Sequence, residues 1–477
     1  MAKMFIAGEW AESASGMTYE VRNPATGELV DTVPKGTAED ARRAIDAAAD
    51  AFKGWRETSA EQRSRLMQKG VELVQGEIKG LSELLTREQG KPVGDSEREI
   101  EHFLHGLLFY AGLASKVRGA QVPLPQKGMQ GFVIKQPLGV CGAIVPWNFP
   151  ITLMGTKVGP ALAAGNTVVV KPASTTPLTA IRIIELLSRA GFPKGVLNII
   201  TGPGGVVGEE LLRNPKVRRL AFTGETATGR HVMEVAGRDL KRVTLELGGS
   251  DPMIVCDDAD LDRAVTGASV GRFYNCGQAC LAVKRLFVFE SIADVFIDKL
   301  IEKVKRLKVG NGLNPDTRLG PLHTAAQRKE IEEQVEDALT RGAKLLIGGK
   351  RPEGAELDKG YFYLPTLLAN VPEESRAVQE ETFGPLLPIF RVRDLDEAIE
   401  KANSSPYGLG SSIWTRSMPN AYKAIERLEA GNVWVNSLHI GYDELPFGGV
   451  KASGIGREHG PEALDYYFEP KGVAIAL

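Results

Sequence analysis

Leu138-Gly-Val-Cys-Gly-Ala-Ile-Val-Pro-Trp-Asn-Phe-Pro150 opens the part of the chain that decides the fold. Residues 140–145 form an apolar run broken only by Cys141 and Gly142. Further apolar runs follow at 167–170, 196–200, 220–222 and 252–256, with helical stretches such as 180–190 and 207–213 between them. Short apolar strands alternating with helices imply a buried, largely parallel sheet and an α/β fold.

Toward the C-terminus the pattern recurs without repeating the sequence. Strand-like segments at 286–288, 344–347, 387–390, 412–414 and 433–435 are separated by helices such as 292–307 and 325–341, which predicts a second α/β unit. Toward the N-terminus, Phe5-Ile6 and 29–33 read as strands and Asn23-Pro-Ala-Thr-Gly27 as a turn. Thr37, with Asp40 three residues on, suits a helix start, and Ile45, Ala48, Phe52 and Trp55 recur at helical spacing. More helix is expected over 61–88 and 97–117. Phe132-Val133-Ile134 is β-prone and isolated, and the tail Gly472-Val-Ala-Ile-Ala-Leu477 has no partner of its own, so the two are expected to pair.

The chain has 477 residues, and at ~150 residues per domain it divides into about three. Lys+Arg is 58 and Asp+Glu is 60, a net charge of -2, which excludes a global basic field for nucleic acid or an anionic membrane. The N-terminal apolar stretch is broken by Gly8 and Glu9 and is no signal peptide. No window reaches the ~18 apolar residues of a membrane span. Four cysteines without a CxxC pair suggest reduced thiols, no zinc or other metal site, and a cytoplasmic protein.

Cys141 and Cys256 sit in strand-like runs, where a thiol is a small hydrophobe. Cys276 and Cys280 lie between a helix and a strand, with Gly277, Ala279 and Ala282 leaving room for a ligand. A thiol there is either a nucleophile or a packed side chain. Glu246, between Leu245 and Leu247 and before two glycines, is either a general base with a raised pKa or a solvent-facing residue on a half-buried strand. Asn148, held between Pro146 and Pro150, is either an oxyanion donor or a turn asparagine. Gly202-Pro-Gly-Gly-Val-Val-Gly208 and Gly224-Glu-Thr-Ala-Thr-Gly229 each precede a helix and hint at a phosphate. Lys171 follows a strand at the edge where open α/β sheets bind ligands.

In this order, Pro146-Trp-Asn-Phe-Pro150, Leu245-Glu-Leu-Gly-Gly249, Gly277-Gln-Ala-Cys280 and Glu381-Thr-Phe-Gly-Pro385 resemble the aldehyde dehydrogenase superfamily. The resemblance implies a Rossmann-like NAD(P)-binding domain (1–115 and 138–248), an α/β catalytic domain (249–448) and a small β oligomerisation flap (116–137 and 460–477). It implies Cys280 as nucleophile, Glu246 as the base that activates water, Asn148 with the Cys280 N–H as oxyanion donors, and Lys157 as support for the base region. It places NAD or NADP against Pro146, Trp147, Lys171, Ser174, Gly204, Gly208, Thr223, Gly224, Gly229, Leu247, Glu381 and Phe383. Glu469 matches a residue linked to proton relay.

CoA-acylating relatives generally lack the glutamate at 246, so its presence favours hydrolysis of the thioester to the acid. Ser174 stands where many NAD-preferring relatives carry glutamate, so NADP should be tolerated. Glu225 stands where many carry serine near the pyrophosphate, and a carboxylate there repels phosphate unless it points away. For the substrate, a small aliphatic aldehyde or semialdehyde, Thr156 offers neither an arginine clamp nor an aromatic wall. Lys284 and Arg285 either hold an anionic tail or are solvated strand-edge charges. Phe149, Leu281, His439 and Phe447 are expected to line the pocket. The resemblance also implies a homo-oligomer, dimer or tetramer, joined through the tail. Two rival readings remain: a thiol acyltransferase using Cys280 without redox chemistry, and a nucleotide-binding structural protein with an inert Cys280.

Overall fold

In the computed structural model, described over residues 1–476, the predicted strands assemble into two large sheets. At the centre of the first, Leu197–Ile199, Thr167–Lys171, Val140–Ile144, Val217–Thr223 and Arg242–Glu246 lie side by side in that order, all parallel. Nearly every residue of these strands is buried, as expected of parallel strands covered by helices on both faces. Met4–Ile6 and then Glu9–Ala11 extend the sheet at one edge and Gly454–Ile455 closes the other, all antiparallel. The second sheet runs Thr366–Ala369, Leu386–Val392, Val283–Phe289, Asp251–Val255, Gly410–Trp414, Asn432–Val435 in parallel, with Lys344–Ile347 antiparallel at its edge.

The helix expected after Thr37 spans Ala38–Trp55. The Asp40 N–H donates to the Thr37 hydroxyl oxygen (3.3 Å) and the Thr37 N–H donates to the Asp40 carboxylate (2.9 Å), a reciprocal cap that satisfies two end donors. The helix expected over 61–88 is two, Ala60–Gln75 and Ile78–Gln89. The break falls at Gly76-Glu77, where the Glu77 carboxylate reaches across to Arg182 (2.6 Å) on another helix. The segment expected at 97–117 is a helix over Val93–Leu113 with a short turn after it.

The tail does pair with the isolated segment: Phe468–Ala476 lies antiparallel to Met129–Pro137, with Val473 opposite Phe132 and Lys471 opposite Ile134. Ala120–Pro123 completes this three-stranded sheet. Leu477 lies outside the described residues. Just before the tail strand, the short helix Pro461–Tyr467 buries Ala463, Leu464 and Tyr467 in the core of the first sheet.

The two sheets meet where chemistry-bearing residues cluster. Strands of the first end at Ile144, Lys171, Thr223 and Glu246; strands of the second begin at Asp251 and Val283, just after Gly249 and Cys280. Ligands of open α/β sheets bind outside the carboxyl ends of the strands.

Candidate active site

The two candidate thiols separate clearly. Cys276 is buried in the core of the second sheet, in a left-handed backbone conformation (φ 57°), and burial pushes its thiol far above the ordinary range. Cys280 is partly exposed and packs with Leu281 against Leu409, Trp434 and Phe447. Burial pushes its thiol up to about 12, while the Lys284 ammonium pulls it down and the Glu381, Asp251 and Glu246 carboxylates oppose that pull. The backbone loop is held by Arg272, whose guanidinium donates to the carbonyls of Gly277 (3.0 Å), Thr382 (3.2 Å) and Gly384. Gly277 lets the two segments touch: a Cβ there would meet the Gly384 carbonyl at 2.3 Å. One buried cation thus joins the cysteine loop to the Glu381-Thr-Phe-Gly-Pro385 motif.

Glu246, at the end of its strand, is buried, and neither carboxylate oxygen has a hydrogen-bond partner among the described residues. The alternative of a solvent-facing residue is therefore excluded. Burial and the neighbouring Glu458 carboxylate raise its pKa well above the ordinary value, with Lys157 as the opposing influence. Gly448 leaves the room this side chain uses, since a Cβ there would stand 2.6 Å from Glu246 Oε1.

Lys157 Nζ is buried and donates to Glu458 Oε1 (2.8 Å) and Thr223 Oγ1 (2.8 Å). The Thr156 hydroxyl donates to Glu458 Oε2 (2.7 Å), so Thr156 supports this carboxylate. The carboxylate beside the base is Glu458. Glu469, the residue matched to proton relay, lies on the exposed tail strand and pairs with Arg242 (2.6 Å). The sequence signal for Glu458 was the run Ser453-Gly-Ile-Gly-Arg-Glu458, whose glycines permit a close return of the chain under the base.

Asn148 is buried, and its amide donates to the Gln278 carbonyl (3.2 Å), two residues before Cys280. Its own carbonyl accepts from Lys91 Nζ (2.7 Å) and the Asn275 amide (2.9 Å). Lys91 is paired in turn with Glu99, whose other oxygen accepts the Ile151 N–H (2.8 Å) at the start of the helix Pro150–Ala164. Neither Lys91 nor Glu99 was identified from the sequence. Phe149 stacks on Tyr274 (5.8 Å, 15°). His439 stacks on Trp434 (4.6 Å) and faces the Leu281 carbonyl at 2.9 Å, and Phe447 meets the edge of His459.

Lys284 and Arg285 are neither solvated nor free to hold a substrate tail. Lys284 Nζ donates to the carbonyls of Gly249 and Cys280 (2.8 Å each) and to Glu381 Oε1 (2.5 Å). Arg285 turns away and donates to the carbonyls of Ser250, Lys401 and Ala402.

The residues expected to hold a dinucleotide fit one. Lys171 Nζ is buried yet, among the described residues, donates to a single acceptor, the Pro172 carbonyl (3.0 Å), and burial lowers its pKa to about 8. An ammonium has three donors, so this one has capacity left for ligand oxygens. Gly204 and Gly205 border open space, and Gly208 lies beside the Lys171 stem. Ser174 Oγ donates to the Gly202 carbonyl (3.1 Å). Trp147 stacks on His323 (4.7 Å, 7°) and meets Phe383 edge-on. His323, which the sequence reading missed, also faces Thr175 Oγ1 at 2.7 Å. Glu381 Oε1 accepts the Gly249 N–H (3.0 Å), and a Cβ on Gly248 would strike Oε2 at 2.3 Å. Two further expected positions also make contacts within the protein. Gly229 lies against Leu247, with 2.4 Å from a built Cβ to Leu247 Cδ2, and the Thr223 hydroxyl accepts from Lys157. Glu225 is exposed and makes no cap bond at the helix Thr226–Arg238.

Residues 10–473 match the family described as the aldehyde dehydrogenase family. The chain is 44% identical to a glutarate-semialdehyde dehydrogenase of Pseudomonas putida, covering 99% of this chain and 97% of that protein. It is 42% identical to a succinate-semialdehyde dehydrogenase [NADP(+)] of Escherichia coli, covering 99% and 97%. A betaine aldehyde dehydrogenase of Staphylococcus aureus, solved in complex with NAD+, superposes with a TM-score of 0.96 at 38% identity, covering 99% of this chain and 94% of that one. A reactive thiol without redox chemistry is not favoured by these matches. With this site and these relatives, the chain belongs to the aldehyde dehydrogenase family, whose reaction oxidises an aldehyde to a carboxylic acid.

Proposed function

We propose that this chain oxidises a small semialdehyde to the dicarboxylic acid with NAD(P)+ by a hydrolytic route, and that Cys280 and Glu246 carry the chemistry. The observation that carries the hydrolytic reading is Glu246: a buried carboxylate with both oxygens free of partners has acceptor capacity for one water. In this reading the Cys280 thiol gives its proton to water, its Sγ bonds to the aldehyde carbon as the C=O π bond opens, and the oxyanion so formed is held by the Asn148 amide and the Cys280 N–H. Bound NAD(P)+ supplies a hydride acceptor, which leaves the substrate as a thioester on Cys280. Glu246 then takes a proton from water as its oxygen bonds to the thioester carbon, the C–S bond breaks, and acid and thiol are released. Glu458, rather than Glu469, is the neighbour suited to receive that proton onward. Lys171 and Ser174 would bind the adenosine ribose side and Glu381 and Phe383 the nicotinamide side. Serine at 174 leaves NADP acceptable, and the E. coli relative is an NADP(+) enzyme.

We assign residues 1–115 and 138–248 to cofactor binding, 249–448 to catalysis, and 116–137 with 460–477 to a flap that joins subunits. Among the described residues no helix is long and apolar enough to cross a membrane, in keeping with a cytoplasmic location. The semialdehyde preference rests on the relatives from P. putida and E. coli. Its test is the initial rate of nicotinamide reduction with succinate semialdehyde, glutarate semialdehyde, betaine aldehyde and propanal, each with NAD+ and NADP+. The carboxylate-bearing aldehydes should lead in kcat/KM by about tenfold or more, or roughly 1.4 kcal/mol. Betaine aldehyde in the lead would overturn the semialdehyde assignment and leave the hydrolytic route standing.

A further inference from the structure

Behind the substrate wall, three histidines converge on one carboxylate. His102 and His105 stand one turn apart on the helix Val93–Leu113; Asp443 comes from the loop before Phe447; His459 follows Glu458. His459 Nδ1 lies 2.8 Å from Asp443 Oδ1, and His102 Nε2 lies 3.8 Å from the same oxygen. One donor atom from each of His102, Asp443 and His459 falls within 4.8 Å of the others. His105 Nδ1 holds the second oxygen, Asp443 Oδ2, at 2.6 Å. His102 Nε2 is buried and has no hydrogen-bond partner among the described residues. A narrow cavity bordered by His102, Tyr110, Thr156, Asp443 and His459 opens beside it.

We propose that His102, Asp443 and His459 form a binding site for a divalent transition metal of the zinc class, with His105 orienting the Asp443 carboxylate. Two imidazoles and a carboxylate are a ligand set that zinc takes, with a fourth position left for water. At ligand distances of about 2.0–2.2 Å, tetrahedral donors stand roughly 3.3–3.5 Å apart. The spacings of 2.8 and 3.8 Å bracket that value and the third pair, His102 with His459, lies within 4.8 Å, so closure asks for ring movements of up to about an ångström. His105 repeats a recurring arrangement in which a hydrogen bond from outside fixes the ligand that touches the metal. Three separate segments supply the four residues, so no local motif marks the site.

A cation here would clamp the loop carrying Phe447 and the segment carrying Glu458 to the helix Val93–Leu113. The His459 ring touches the edge of Phe447, which packs with Cys280, so the clamp reaches the substrate pocket through one aromatic contact. The site therefore acts on the shape of the pocket and takes no part in the bond changes.

Co2+ is the probe, because tetrahedral Co2+ absorbs strongly in the visible and a thiolate ligand adds a charge-transfer band in the near ultraviolet. Chelator-treated full-length protein is titrated with Co2+ as wild type, His102→Ala, His105→Ala, Asp443→Asn and Cys280→Ala. The expected result is one Co2+ per chain in wild type and Cys280→Ala, with visible bands and no thiolate band. His102→Ala and Asp443→Asn should lose those bands, and His105→Ala should weaken binding about 10–100-fold. Their folding is checked by circular dichroism, and His102→Ala removes only a partly exposed side chain. Wild type without visible bands overturns the proposal. So do bands that persist in His102→Ala, and so does a thiolate band that disappears in Cys280→Ala, which would put the cation on the nucleophile.

Discussion

Replacing Glu246 with Gln keeps the shape of the side chain and removes its ability to take a proton. The carboxylate makes no hydrogen bond among the described residues, so no partner there is orphaned by the change. Loss of a general base costs ~10²–10⁴-fold in the step it serves. If that step is hydrolysis, rapid mixing of enzyme, aldehyde and NAD(P)+ should give a near-stoichiometric burst of reduced nicotinamide, followed by a steady state slower by that factor. A second signature comes from stability. Glu246 has a raised pKa in the folded protein, so the folded state binds the proton more tightly than the unfolded chain does. Its stabilising contribution is whole below the unfolded value near 4.3 and is lost as pH rises through the folded value. Each pH unit between those two points costs about 1.4 kcal/mol of wild-type stability, and Glu246→Gln is spared that cost. The variant should therefore unfold at a higher temperature than wild type at pH 8, with the gap closing toward pH 4. A first turnover lost as fully as the steady state, with no pH-dependent gap in melting, would refute the assignment of a buried hydrolytic base.

Cys280→Ala should abolish turnover while leaving cofactor affinity within a few fold; an active Cys280→Ala beside a dead but folded Cys276→Ala would reverse the choice of thiol. Ser174→Glu should shift the NAD-to-NADP ratio of kcat/KM toward NAD by about tenfold, since a like charge at a half-buried position costs on the order of 1–2 kcal/mol; an unchanged ratio would remove Ser174 from the adenosine ribose. Lys171, held down at about 8, loses its charge as pH rises through that value, so NADP+ affinity read by fluorescence should weaken above pH 8 and Lys171→Met should flatten the curve. Deleting residues 472–477 strips strand pairs from the exposed three-stranded sheet and should lower the assembly state; a wild-type monomer by light scattering at micromolar concentration would end that account.

The parallel order of both sheets was legible because buried parallel strands leave short apolar runs, and runs such as 140–145 and 167–170 survive any choice of neighbour. The pairing of the tail with Phe132 was legible for the opposite reason: both segments were β-prone and neither had another partner. Cys280, Glu246 and Asn148 were visible because each sits in a local motif with glycine or proline around it. What escaped was long-range. Lys284 and Arg285 look like strand-edge charges until the carbonyls of Gly249 and Ser250 are seen to be their acceptors. Thr156 looked like a residue facing the substrate, yet its hydroxyl is committed to a carboxylate 302 positions away. Glu469 was the residue matched to proton relay, and the glycines before Glu458 permitted a close return of the chain without telling that it ends beside Glu246. The helix break at Gly76-Glu77 had a local glycine signal, but its partner Arg182 had none.

Three lysine–glutamate pairs, two of them fully buried and one with a buried lysine, surround the proposed chemistry, and each joins a different reacting group to distant chain. Lys91 with Glu99 fixes the Asn148 carbonyl and the first turn of the following helix. Lys157 with Glu458 sits beneath Glu246. Lys284 with Glu381 ties the Cys280 carbonyl to the segment that would face the nicotinamide. Stability alone is a poor reason for such pairs, because well-packed apolar residues of the same volume often serve as well or better. Geometry is a better one. An ion pair that also donates to named carbonyls tolerates one arrangement of the segments it joins, whereas an apolar contact tolerates several. Misplacing a reacting atom by ~1 Å can cost about 10²-fold in rate. One pair also adds to the electrostatics around the base: burial raises the Glu246 pKa most, the Glu458 carboxylate raises it further, and the Lys157 ammonium pulls it back. The desolvation cost of burying five charges beside a partly exposed sixth, Glu381, is thus matched to a site whose work is to hold an amide, a carboxylate and a thiol in fixed relation.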